Sequence, residues 1–167
     1  MIFLEELMTI HKKMFDRNPS PLCAPSSAPT IAVSGGFDPV HIGHVRMILE
    51  ASRHGEVIVI ANSDEWLMRK KGYVFMPFEE RAEILRALKG VAEVVKALDD
   101  DDTVCESLRE IRPTLFANGG DRKLDNTPEM DVCAELDIDM LWNIGGGKIQ
   151  SSSTLVSNAN LHEPADS

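Results

Sequence analysis

Short apolar runs and longer amphipathic segments alternate along most of the chain. Five runs rich in β-branched and other apolar residues are typical of buried strands: 30–33, 56–61, 91–95, 114–117 and 140–144. Apolar residues recur at helical spacing in 45–52, 78–88, 103–111, 127–136 and 151–156. Strands that alternate with helices predict an α/β fold with a parallel sheet covered on both faces. Right-handed crossovers would make it one Rossmann-like, doubly wound, five-stranded sheet.

The ends of the chain differ from this regular part. Residues 1–17 carry apolar side chains at approximate helical spacing, which predicts a helical extension. It either packs on the domain's own flank or binds a partner, and the sequence leaves both open. Residues 18–29 are rich in Pro and Ser and predict an extended linker. We place the main domain over 30–158 and a polar tail over 159–167, within a length of 167 residues that suits one domain.

Charge and cysteine content narrow the function classes. A net charge of −10 argues against a broad surface for nucleic acid or anionic membrane. No apolar run approaches a membrane span, and the first residues turn acidic where a signal peptide would be basic. The three cysteines are far apart and contain no C-x-x-C pair, which favours a reducing compartment. We therefore expect a cytoplasmic protein that binds neither nucleic acid nor membrane.

The turn between the first strand and the first helix carries the candidate chemistry. Gly35 and Gly36 would let a phosphate approach the backbone, and the helix that follows offers free N–H groups. His41 and His44 are three residues apart, so their imidazoles share a face and can donate hydrogen bonds to phosphate oxygens. The alternative is a plain connection with capping histidines. His-x-x-His without a nearby Cys is a poor zinc pattern, and we expect no metal held by protein ligands alone.

The segment Gly36-Phe37-Asp38-Pro39-Val40-His41-Ile42-Gly43-His44 resembles the G-x-F-D-x-x-H-x-G-H signature of the small nucleotidyltransferases. This cytidylyltransferase-like family includes glycerol-3-phosphate cytidylyltransferase and heptose-phosphate adenylyltransferase. The resemblance covers about residues 30–157 and implies the strand order 3-2-1-4-5. It also implies nucleotide contacts for Gly35, Gly36, Phe37 and Asp38, although Asp38 can equally brace the turn.

The resemblance assigns roles to two further segments. Family members carry lysines where this chain has its densest basic cluster, so Lys70 or Lys71 is expected to contact the triphosphate or the acceptor phosphate. A solvated surface patch is the alternative. Glu79-Glu80-Arg81 resembles the E-x-R motif whose Arg faces the acceptor phosphate, which implies that role for Arg81. A surface ion pair along the helix is the alternative.

Two glycine-rich loops complete the predicted site. After the fourth strand, the resemblance implies nucleotide contacts for Gly119 and Asp121 and an acceptor contact for Arg122; a tight turn is the alternative. Near the last helix, the family has an R-T-x-G-I-S-T-T-like segment that binds the leaving phosphates. The hydroxyl part of that segment is matched here by Ser151, Ser152 and Ser153. Gly146 stands in place of the Arg, and Lys148 would supply the charge from a shifted position.

The expected function is transfer of a nucleoside monophosphate from CTP or ATP to a phosphorylated small molecule, with release of pyrophosphate. The resemblance implies Mg²⁺ travelling with the triphosphate. A phosphosugar or polyol phosphate is the favoured acceptor, flavin mononucleotide is a further one, and the base is open. We also expect a homodimer. A non-catalytic nucleotide sensor and an assembly role for the N-terminal helix remain alternatives. A class I synthetase relic does not, because no K-M-S-K-S-like loop is present.

Overall fold

The five predicted strands form one parallel sheet. The computed structural model describes residues 28–119, 128–147 and 149–160. Its elements are β1 (Thr30–Gly35), α1 (Ile42–Ala51), β2 (Glu56–Ala61), α2 (Asp64–Lys71), α3 (Phe78–Arg86), β3 (Val91–Lys96), α4 (Cys105–Ile111), β4 (Leu115–Gly119), α5 (Pro128–Glu135), β5 (Asp139–Ile144) and α6 (Ser152–Asn160). The predicted extension over 1–17, nearly all of the linker and the residues after 160 lie outside this description.

The strand order is β3-β2-β1-β4-β5, and every neighbouring pair is parallel, which confirms the expected topology. β1 lies at the centre, where the chain first winds toward β2 and β3 and later returns to place β4 on the other side. Such a reversal of winding opens a crevice at the carboxyl ends of the two central strands. Within the residues described, no helix has the length and apolar character that crossing a membrane requires.

Successive side chains of β1 point to opposite faces of the sheet, as in any strand. Ile31 and Val33 pack with apolar residues of α1 and α3, whereas Ala32 packs with those of α4 and α5. All three β1 side chains are fully buried. A central strand covered on both faces is therefore apolar without alternation, as its sequence indicated.

Helix α2 was not among the predicted helices; the sequence prediction had a loop there. Its apolar pattern is weak, because Leu67 is the one buried residue among its eight. Its ends nevertheless carry clear signals. The Ser63 hydroxyl accepts a hydrogen bond from the Trp66 N–H at the start, and Gly72 ends the helix with a left-handed φ of 80°. These start and stop residues could have revealed the helix.

The run of four aspartates before α4, residues 99–102, makes specific contacts. The Asp99 carboxylate accepts hydrogen bonds from the Glu106 and Ser107 N–H groups, which caps α4. On the other side, the Trp66 indole N–H donates to the Asp101 carbonyl, and Lys70 pairs with Asp102 at 2.7 Å. The aspartates therefore join α4 to α2.

The glycines after β5 allow a controlled test of backbone packing. Gly145 and Gly146 both have left-handed φ angles, of 87° and 73°. A Cβ on Gly145 would lie 2.9 Å from the Met47 Cα, whereas a Cβ on Gly146 would meet nothing within 4 Å. We expect Gly146→Ala to cost only the conformational penalty, about 1–2 kcal/mol, and Gly145→Ala to cost clearly more. Chemical denaturation measures both, and equal losses would contradict the close approach to α1.

Candidate active site

A pocket of about 380 Å³ opens at the carboxyl ends of β1 and β4, where the topology places the crevice. This volume lies within the ordinary range for small-molecule sites. The amino ends of α1 and α6 both border it, and such helix ends attract anions. Its lining residues are Ser34, Gly35, His41, Gly43, His44, Met47, Lys71, Ala117, Asn118, Gly119, Ile144, Gly145, Gly146, Gly147, Ile149, Gln150, Ser151, Ser152 and Ser153.

The two histidines are held by the backbone that begins α1. The His41 Nδ1 accepts a hydrogen bond from the Gly43 N–H at 3.1 Å, and the His44 Nδ1 accepts one from the His41 N–H at 3.3 Å. The two rings stack, with centroids 3.7 Å apart and planes 17° from parallel. A ring nitrogen that accepts a hydrogen bond carries no proton, so each neutral ring has its proton on Nε2. Both imidazoles are thereby set as Nε2–H donors.

Neighbouring residues fix the positions of the two rings. A Cβ on Gly43 would lie 3.0 Å from the His41 Cε1, so a side chain there would push against that ring. Phe37 is buried, and its ring centroid lies 4.8 Å from that of His44. Phe37 has a φ of 51°, which is costly for a residue with a bulky side chain. Phe37 therefore supports His44 from inside the protein and does not reach the pocket, where a nucleotide contact had been predicted.

The electrostatic surroundings keep His44 uncharged. Burial is the main cause that lowers its pKa from 6.5 to about 3, and the neighbouring His41 and Lys71 lower it further. Near neutral pH, the His44 ring therefore acts as a neutral hydrogen-bond donor. The positive charge that balances a bound phosphate has to come from elsewhere.

Asp38 braces the turn. Its side chain is fully buried, and its two carboxylate oxygens accept hydrogen bonds from the Phe75 and Met76 N–H groups at 2.7 and 2.6 Å. These bonds join the turn to the segment that precedes α3, and the nucleotide contact stays a prediction. The bracing role, which the sequence had left open, agrees with the structure.

The Arg81 side chain does not line the pocket. Its side chain is fully buried, and the guanidinium donates to the carbonyls of Met76, Gly36 and Asn62 and to the Asp64 carboxylate. Neither the predicted acceptor contact nor the alternative of a surface ion pair describes this arrangement. The contacts of Arg81 hold backbone segments together beneath the pocket.

The two candidate lysines lie in different surroundings. Lys71 lines the pocket, and its ammonium group donates to the Asp38 carbonyl at 3.2 Å. Burial lowers the pKa of Lys71, against the nearby charge of Asp38, which raises it. Lys70 is half-exposed and paired with Asp102, so it does not line the pocket. The structure thus separates the pair that the sequence had left as equal candidates.

The glycines predicted to contact the nucleotide lie in different surroundings. Gly35 and Gly119 line the pocket, as expected. Gly36 does not, and it packs closely against α2, since a Cβ there would come within 3.1 Å of the Leu67 side chain. The predicted residues Asp121, Arg122 and Lys148 lie outside the described residues.

The serines at the start of α6 border the pocket, as predicted, and differ in their partners. The Ser151 hydroxyl accepts the Thr154 N–H at 3.2 Å and so caps the helix. The Ser152 hydroxyl donates to the Pro39 carbonyl at 2.9 Å, which ties α6 to the β1–α1 turn. Ser153 is exposed and lines the pocket. One serine therefore caps, one joins two loops, and one faces the cavity.

Several lining residues were not among the predicted site residues. Ser34 and Asn118 lie at the carboxyl ends of the two central strands, and the rule that places ligands at such ends could have identified them. Met47 and Ile149 add apolar surface to the pocket. Nothing in the sequence distinguished these two from ordinary core residues.

Metal ions in proteins are held mainly by His, Cys, Asp and Glu side chains. Among the residues that the structure describes, no group of three or more His, Cys, Asp or Glu side chains could hold an ion. Asp38, the acidic residue of the signature, has both oxygens occupied by backbone N–H groups. These residues therefore do not fit a metal site built from protein ligands alone.

Fold and pocket together define a parallel α/β protein with a pocket at its central crevice, bordered by two helix amino ends. Residues 32–142 match the profile of the cytidylyltransferase-like family, and the chain belongs to this family.

Curated relatives agree with this placement. An FAD synthase of Ferroglobus placidus is 33% identical over 95 residues, which cover 57% of this chain and 61% of that protein. The bifunctional protein HldE of Streptomyces coelicolor is 37% identical over 108 residues, which cover 63% of this chain and 23% of that protein. The chain therefore aligns with only part of each relative.

Solved structures share the fold. A lipopolysaccharide core biosynthesis protein from Thermoplasma volcanium superposes with a TM-score of 0.57 at 20% identity, over 69% of this chain and 95% of that one. A Vibrio parahaemolyticus protein assigned as a nicotinate-nucleotide adenylyltransferase gives a TM-score of 0.52 at 21% identity, over 80% and 87% of the two chains. At these identities the likeness concerns the fold alone.

The low pKa of His44 predicts a specific pH dependence of stability. Between the unfolded value near 6.5 and the folded value of about 3, the unfolded chain binds a proton that the native chain does not. The free energy of unfolding therefore falls as pH drops through this window, by up to about 1.4 kcal/mol per pH unit from this group.

Denaturation of wild type and His44→Asn at several pH values measures this contribution. Asparagine keeps an oxygen near the Nδ1 position to accept the His41 N–H but does not titrate. The free energy of unfolding of the variant should therefore depend less on pH between about 3 and 6.5. An NMR titration of His44 with a midpoint near 6.5 would contradict the assignment.

Proposed function

We propose that this protein transfers a nucleoside monophosphate from CTP or ATP to a phosphorylated small molecule and releases pyrophosphate. The observation that carries the proposal is the stacked histidine pair, held by α1 as two Nε2–H donors beside a pocket bordered by two helix amino ends. Membership of the cytidylyltransferase-like family supports the same reaction class.

The proposed reaction is a single displacement at phosphorus. An oxygen of the acceptor phosphate forms a bond to the α-phosphorus, and the bond from that phosphorus to the oxygen bridging to the β-phosphate breaks. The electron pair leaves with pyrophosphate. The attacking oxygen is already an anion near neutral pH, so no strong general base is required. Catalysis then consists of positioning and of stabilising charge on the transferred group.

Each lining group has a role in this scheme. His41 and His44 donate from Nε2 to the non-bridging oxygens of the α-phosphate, where charge grows in the transition state. Lys71 supplies positive charge from a position beside the β1–α1 turn. The amino end of α6, with Ser153 exposed there, receives the departing phosphates.

Magnesium enters only as a companion of the nucleotide. A magnesium ion bound to a triphosphate usually keeps phosphate and water oxygens as its main ligands. The described part of the pocket wall contains no carboxylate, which suits a metal that arrives with its substrate. Its contribution when bound is to neutralise charge on the phosphates.

The acceptor is proposed as a class. The similarity to an FAD synthase supports flavin mononucleotide as a candidate, and a phosphosugar or polyol phosphate remains the other. Pyrophosphate release should be measured with CTP and with ATP against flavin mononucleotide, glycerol 3-phosphate and phosphosugars. Pyrophosphate release with one nucleotide–acceptor pair would support the proposal and identify both substrates.

One observation favours a second candidate, a nucleotide-binding sensor without chemistry. Gly146 stands where the family's loop carries an arginine, so this position itself supplies no positive charge for the leaving phosphates. A sensor would show a thermal shift with CTP or ATP but release no pyrophosphate with any acceptor of the panel. Thermal-shift and release assays on the same samples therefore separate the two functions.

Substitution of His44 tests the proposed chemistry. His44→Ala should lower kcat by about 10²–10³-fold, the usual cost of losing one preorganised donor, while the KM for the acceptor changes little. His44→Gln keeps an N–H near the Nε2 position and should retain more turnover than His44→Asn, which keeps only the acceptor near Nδ1. Steady-state pyrophosphate release measures all three. Near-normal turnover in His44→Ala would refute the role.

A further inference from the structure

Arg81 is a buried charge to which the proposed chemistry gives no direct role. Its Nη1 donates to the Gly36 and Asn62 carbonyls at 2.6 and 2.9 Å, and its Nε donates to the Met76 carbonyl at 2.9 Å. Its Nη2 pairs with Asp64 at 2.6 Å. One guanidinium thus joins the β1–α1 turn, the end of β2, the start of α2 and the segment before α3.

Helix α2 is consequently fastened to the β1–α1 turn at both ends. At its start, Asp64 is linked through Arg81 to the Gly36 carbonyl. At its end, the Lys71 ammonium donates to the Asp38 carbonyl. Eight helical residues separate these attachments by about 10–12 Å, so a change at the first attachment shifts or tilts the helix that carries the second.

We propose that Arg81 and Asp64 are positioning residues that set Lys71 against the histidine pair. The consequence for catalysis rests on the function proposed above. Arginine suits this task because its planar fork can hold several acceptors at once, which a lysine ammonium cannot do with the same geometry. The positioning role differs from the acceptor contact that the family resemblance implies for Arg81.

The experiment is best made on Asp64. Loss of Arg81 would leave three backbone carbonyls without their donor and threatens folding. The Asp64 side chain is 37% exposed, and its second oxygen accepts the Phe78 N–H that begins α3. Asp64→Asn can keep that bond with its amide oxygen while turning an N–H group toward Arg81, which removes the pairing alone.

Glu65→Gln is the matched control. Glu65 is the next residue of the same helix turn and is exposed, and its substitution makes the same change in charge without touching Arg81. We expect Asp64→Asn to lower kcat by about 10–100-fold, as small misplacements of catalytic groups do, and Glu65→Gln to leave it near wild type. In a Lys71→Ala background, Asp64→Asn should cost little more, because both changes remove the same interaction.

A second readout is independent of turnover. NMR of isotopically labelled lysines reports the pKa of Lys71, which burial lowers in the wild type. We expect it to rise toward the ordinary lysine value in Asp64→Asn, as the ammonium loses its buried place, and to stay unchanged in Glu65→Gln. If Asp64→Asn lowers only the melting temperature, with kcat and the Lys71 pKa as in wild type, the positioning role is refuted.

The two proposals fail in distinguishable ways. Wild type that releases no pyrophosphate with any nucleotide–acceptor pair of the panel refutes the transferase proposal. The Lys71 pKa in Asp64→Asn still decides whether Asp64 and Arg81 position this lysine. A transferase whose kcat loss in Asp64→Asn is undiminished by Lys71→Ala retains the proposed function and refutes the positioning role.

Discussion

The buried guanidinium of Arg81 is the interaction on which the pocket's surroundings depend. Removing such a charge from water costs several kcal/mol, and only well-placed hydrogen bonds and a counter-charge repay it. Arg81 obtains three carbonyls and the Asp64 carboxylate. Because these acceptors belong to separate segments, the cost of burial is met only when all of them are in place. The irregular backbone around the turn is thereby restricted to one arrangement.

The Nδ1 hydrogen bonds of the histidine pair both cap α1 and orient the imidazoles toward the pocket. The Nδ1 atoms of His41 and His44 satisfy N–H groups that the first turn of α1 would otherwise leave unpaired. The same two bonds direct each proton to Nε2. Phe37, beneath His44, adds burial that keeps that ring neutral. Among the described lining residues, the positive charge comes from Lys71, on a different helix.

Sequence reasoning succeeded where the pattern was local. Five apolar runs marked the strands, and all five are present in the expected order. It missed α2 because a helix that buries only Leu67 has little apolar periodicity, although Ser63 and Gly72 marked its ends. It also predicted ligand contacts for Asp38 and Arg81, whose partners in the structure are backbone groups and, for Arg81, also the Asp64 carboxylate. A polar residue within a binding motif has the same appearance in sequence whether it touches a ligand or the backbone beneath it.

The sequence by itself determined the alternation of elements, the glycine–histidine turn and the family, because each depends on neighbouring residues. Only the tertiary structure decided which polar side chains face the pocket. Asp38 meets Met76 across 38 positions of sequence, and Arg81 meets Gly36 across 45. Lys70 and Lys71 are adjacent, yet one reaches Asp102 and the other the pocket. The partner of each polar side chain depends on which distant groups are buried beside it and need a hydrogen bond once water is excluded. The local sequence pattern contains no information about those groups.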